Sequence, residues 1–65
     1  MESLIVLNGQ YYCGVNAVNN KLIFKPSRSE AVALSEDMKN SILHAIFGWV
    51  MDNEIKLKRL EVLRA

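Results

Sequence analysis

Cysteine, histidine and proline occur once each and glycine three times in this 65-residue chain, and each scarcity removes a class of architecture. Cys13 alone makes no intrachain disulfide. With His44 as the one histidine there is no closed structural zinc site, which takes four ligands. Isolated glycines at 9, 14 and 48 build no phosphate-cradling loop with a helix behind it. Charge is missing altogether from Ser3 to Asn20, and the formal net charge of +1 is far from the basic footprint of a dedicated nucleic-acid binder. Long apolar runs are missing too: Asn40–Met51, the longest uncharged apolar-rich stretch in the second half, is too short to span a bilayer. The start, Met1-Glu2-Ser3, lacks the basic residues and extended apolar stretch of a secretory signal. With one thiol, which suits a reducing compartment, these features predict a soluble cytoplasmic protein without membrane attachment.

What remains is local patterning. Leu4-Ile5-Val6-Leu7, then Asn8-Gly9, then Gln10-Tyr11-Tyr12-Cys13 reads as a hairpin, because Asn-Gly tolerates the positive φ that a type I′ turn needs at both central residues. Strands are expected at 3–7 and 10–15. The first is apolar on both faces, as in a strand covered on both sides or placed centrally. Gly14 predicts a bulge or a close backbone approach, and Asn16-Ala17-Val18-Asn19-Asn20 has turn composition. A third strand, Lys21–Lys25, ends at Pro26, which has no backbone donor. Ser27–Leu34 fits one helical turn through Glu30 and Ala31, capped by Ser27 or Ser29, and then an extended Val32-Ala33-Leu34. A continuous helix from Ser29 competes with that reading, but Ser35 followed by Glu36 and Asp37 favours a break and a fresh helix start.

The helix over 35–52 has more apolar surface than a small sheet covers. At about 100° per residue, Ala45, Met38, Trp49, Ile42 and Ile46 cluster on one side. Val50, Leu43, Phe47 and Met51 continue the arc, leaving Asp37, Ser41, His44, Gly48 and Asp52 as a narrow polar stripe. The arc spans roughly 240°, against about 100° or more for an ordinary surface helix. Asn53 suits the left-handed cap that would end it. Beyond it, Ile55 and Leu57 alternate with Lys56 and Lys58, as in a strand. Leu60 and Val62 are out of phase with them, which calls for a bulge near Lys58-Arg59. Leu57, Leu60 and Leu63 also fit helical spacing, while Ile55 and Val62 favour a strand over 54–64.

Chemistry is sparse. Cys13 and His44 are the one nucleophile–base combination, with no third group to orient them, and burial of the thiol with a surface histidine accounts for both. The acidic pairs Glu36/Asp37 and Asp52/Glu54 flank the helix, where capping and solvation explain them. No catalytic residue, metal site or cofactor is therefore expected. Two surfaces are. The apolar arc at Leu43, Phe47, Val50 and Met51 predicts a protein contact, since large exposed apolar patches mark interaction sites. Lys56, Lys58, Arg59 and Arg64 supply a nucleic-acid alternative, with Lys56 and Lys58 on one face if the tail is a strand.

As a whole, the chain resembles a broad class of small proteins carried by bacteriophages and prophages. The resemblance lies in Asn8-Gly9-Gln10-Tyr11-Tyr12, Lys21-Leu22-Ile23-Phe24, Glu30-Ala31 and the helix after Ser35. It implies an accessory protein, often one that binds and modulates a host protein, and it assigns no functional residues. The expected fold is α+β: a small antiparallel sheet with one amphipathic helix on a face, order β-β-β-α-β, as a single domain over 1–65, with a homodimer or a host protein as partner.

Overall fold

The computed structural model describes residues 2–65. It has strands β1 (Ser3–Leu7), β2 (Gln10–Asn16) and β3 (Lys21–Lys25), a 3-10 turn at Arg28–Glu30, the helix α1 (Glu36–Met51), and β4 (Leu60–Arg64). The four strands form one antiparallel sheet in the order β3-β2-β1-β4. The expected α+β fold and the β-β-β-α-β order are those of the structure.

Local chemistry explains most of the boundaries. Asn8 and Gly9 have φ of 52° and 82°, the two positive values of a type I′ turn, which set Leu7 opposite Gln10. The β2–β3 register shifts between Tyr12 and Gly14, where Gly14 adopts φ 129°, so the bulge falls at the predicted glycine. The Asn16–Asn20 turn is closed by its own amides: the Asn16 side chain accepts from the Val18 N–H at 2.9 Å and the Asn19 side chain from the Lys21 N–H at 3.1 Å.

Ser35 caps α1 by accepting from the Met38 N–H at 3.4 Å. The helix ends on Asn53, at φ 60°. There the Asn53 N–H bonds to the Val50 carbonyl (3.1 Å) and the Glu54 N–H to the Trp49 carbonyl (2.9 Å), the paired bonds of a Schellman cap.

The link from β3 to α1 breaks where expected and then does something the sequence does not announce. Ala31 is extended. Val32 donates to the Tyr12 carbonyl at 3.0 Å, and Leu34 exchanges bonds of 2.8 and 2.9 Å with Ser3. β1 and β2 pair through Val6–Tyr11 and Leu7–Gln10, so the Val32–Leu34 segment enters the gap where β2 diverges past its bulge. The 3-10 turn carries no side-chain cap; the Ser27 and Ser29 hydroxyls bond each other at 2.7 Å instead.

The tail departs from expectation. A strand over 54–64 would begin at the helix cap, but β4 starts at Leu60 and Glu54–Arg59 is a loop. Asn8 is the reason. Its side-chain oxygen accepts from the Lys58 and Arg59 N–H groups at 2.7 and 3.0 Å, and its nitrogen donates to the Lys56 carbonyl at 2.7 Å. One turn residue thereby satisfies backbone groups that a neighbouring strand would otherwise take. Ile55 turns inward against the core.

The core lies between α1 and the sheet. Ile5, Leu7, Tyr12, Leu34, Ile42 and Ile46 form it, with Ile5 and Ile46 fully buried. Leu4 and Val6 alternate to the other face of β1 and are buried as well, so the central strand is covered on both faces within one chain. Two polar ties reach the edge strands from the link: Lys25 of β3 pairs with Glu30 at 3.3 Å, and the Arg28 guanidinium donates to the Arg64 carbonyl of β4 at 3.4 Å.

Burial holds the Tyr12 phenol above its usual pKa of 10.0 by disfavouring the phenolate. The folded chain therefore keeps that proton at a pH where the unfolded chain has lost it, and stability falls as pH rises past about 10. Chemical denaturation across the alkaline range is expected to show that decline, and Tyr12→Phe to reduce its slope; equal slopes would contradict the assignment.

Candidate functional site

The helix is buried along a narrow line and bare over much of the rest. Ile42 and Ile46, one turn apart, point into the core. On one flank of that line, Trp49 lines an open groove of ≈ 600 Å³ together with Leu22, Phe24 and Ile55. This flank therefore faces the β3 side of the sheet. The opposite flank, by the 3.6-residue period, carries Leu43, Val50, Phe47 and Met51 and faces the β4 side.

These four residues separate by depth. Leu43 and Val50 are half-buried against the core, whereas Phe47 is 47% and Met51 83% exposed. Phe47 and Met51 are four apart and so share one stripe. Leu57, just before β4, and Val62, within it, are also exposed apolar residues. Val62 stands opposite Ile5, which places it on the helix-bearing face of the sheet's edge strand. The composite is an apolar flank drawn from α1 and β4. Periodicity reaches its helical half alone; the exposure of Val62 follows from β4 being an edge, and that of Leu57 from the loop that precedes β4.

The basic residues do not converge as the strand reading required. Lys56 and Lys58 are exposed in the loop that Asn8 clamps, so they form no stripe on a strand face. Arg59 pairs with Glu61. Arg64, at the far end of β4, is exposed. Lys39 is paired with Glu36 at 2.9 Å. Hydrogen bonding by that ammonium, and its charge, hold the Glu36 carboxyl below its ordinary value.

Cys13 and His44 stand apart. Cys13 sits in the β2 bulge with its thiol donating to the Tyr11 carbonyl at 3.2 Å. His44 is exposed in the polar stripe of α1, turned away from the sheet. Among the described residues, no group of three or more His, Cys, Asp or Glu side chains is placed to hold a metal ion, and no helix is long and apolar enough to cross a membrane. No protein-family model, curated protein or solved structure matches the chain.

The division of α1 by depth has a measurable signature. Ile46→Ala should cost about 2–5 kcal/mol, as expected for a buried large-to-small change. Met51→Ala, one turn and a residue further on, should stay within about 0.5 kcal/mol. Urea unfolding of both variants measures this; comparable losses would show that the Met51 flank packs internally.

Proposed function

We propose that this chain is a small, non-enzymatic, cytoplasmic protein-binding module of the accessory type that phages carry, acting on another protein through the flank formed by Leu43, Phe47, Val50 and Met51. The observation that carries the reading is the exposure of Phe47 and Met51 on a helix whose core-facing line, Ile42 and Ile46, is already satisfied. Met51 is almost bare and Phe47 about half exposed, and both are large, apolar and contiguous with half-buried neighbours. Aromatic residues and methionine are enriched at interface cores, and methionine adapts to irregular partner surfaces. The chain also exposes 4621 Å², about a tenth more than the roughly 4,200 Å² expected for a folded monomer of 7.4 kDa.

The basic cluster supports the nucleic-acid alternative less well. Lys56 and Lys58 lack a common strand face, and Arg59 spends its charge on Glu61. Binding through the apolar flank should change little from low to high salt, whereas binding through phosphates weakens steeply.

The test is comparative capture from the native host with wild type and Phe47→Glu, each first shown by circular dichroism to be folded. A partner retained by wild type at high salt and lost by Phe47→Glu is the expected result. Identical capture by both proteins would overturn the assignment of the flank.

A further inference from the structure

The free edge of β4 suggests what else that flank meets. The Asn8 N–H donates to the Arg59 carbonyl and the Ala65 N–H to the Glu2 carbonyl. In an antiparallel ladder the bonded pairs alternate, so Glu61 and Leu63 direct their backbone groups to β1, while Arg59 bonds Asn8 through both its carbonyl and its N–H. Leu60, Val62 and Arg64 then direct N–H and C=O outward, away from the sheet; among the described residues the Arg64 carbonyl alone of these is tied, to Arg28. The other edge is built differently. β3 begins and ends in lysine, is followed at once by Pro26, and pairs with a bulged β2, all devices that discourage strand addition.

We infer that β4 pairs with β4 of a second copy of this chain, antiparallel about a two-fold axis through Val62. This rests on reading the Phe47–Met51 flank as a protein contact and names one partner for it. The outward groups are self-complementary in that register: Val62 faces Val62, and Leu60 faces Arg64 on both sides of the axis. About six backbone hydrogen bonds result, the Arg64 carbonyl using its second lone pair. Shifting the axis to Glu61 sets two carboxylates opposite each other, which is repulsive. Shifting it to Leu63 leaves about four bonds.

The register also fits the helices. A two-fold axis normal to the sheet keeps both copies of α1 on the same side. Each helix lies over β1. Three strand spacings separate β1 from its counterpart, so the helices stand roughly 14 Å apart. Phe47, Met51 and the 45%-exposed Val62 of each copy lie along that gap.

Sedimentation equilibrium of the full chain over a wide concentration range tests this directly. Wild type should rise with concentration from the mass of one chain to that of two. Val62→Pro removes an outward N–H that no bond within the sheet uses, and Val62→Lys places a charge on the axis; both should stay monomeric with an unchanged helix signal. As a check on register, in a Cys13→Ser background Val62→Cys should oxidise to a covalent dimer and Lys21→Cys, on the opposite edge, should not. A wild type that stays monomeric throughout, a dimer that survives both Val62 substitutions, or cross-linking as strong at position 21 as at 62 would overturn the inference. Such a result would leave the reading of the apolar flank to the Phe47→Glu capture, which does not depend on β4.

Discussion

Burying four consecutive apolar residues, Leu4 to Leu7, is the constraint that organises this molecule. A strand whose successive side chains point to opposite faces and are all apolar must sit centrally and be covered on both sides. β1 is flanked by β2 and β4, carries α1 on its Ile5 face, and is buried on its Leu4 face as well. On the Ile5 face the covering is done by one helix together with Leu34 of the link that precedes it. The helix is committed to β1 along Ile42 and Ile46, and the remainder of its apolar arc is left for other uses. Trp49 lines the open groove that it shares with Leu22, Phe24 and Ile55. Phe47 is left about half exposed and Met51 almost bare.

Elements governed by neighbouring residues were legible from the sequence. The Asn8-Gly9 turn, the Gly14 bulge, the break before Ser35, the Ser35 cap and the Asn53 stop each depend on the backbone preference of one or two residues, and the structure has all of them. Two features were not legible. Residues 54–59 read as strand because Ile55 and Leu57 alternate with lysines, but the Asn8 amide, some fifty positions away, takes the backbone bonds that would have made the strand. The insertion of Val32–Leu34 beside Ser3 likewise depends on β2 diverging after its bulge, a tertiary event with no local signature. The helical half of the apolar flank could be drawn from periodicity. Its β4 half required the strand order, because alternation reveals which face a residue occupies and not whether its strand lies at an edge.

The same geometry gives the apolar flank and the open strand edge a common location. β4 is the last strand added and the only neighbour of β1 on that side, so its outer backbone groups and the β4-facing flank of α1 lie side by side. An apolar surface next to unpaired N–H and C=O groups offers directional bonds and nondirectional burial together. β3, the opposite edge, is fenced by Lys21, Lys25 and Pro26, so the molecule presents one guarded side and one receptive side.

The central claim is that the Phe47–Met51 flank of α1 faces solvent in the isolated folded chain while Ile42 and Ile46 do not. Relaxation of side-chain NMR signals by a soluble paramagnetic probe, in dilute wild-type protein, measures that most directly. Strong broadening at the Met51 methyl and the Phe47 ring, with little at the Ile42 and Ile46 methyls, is the result the account predicts. Protection of Met51 and Phe47 equal to that of Ile46 in the monomer would contradict it.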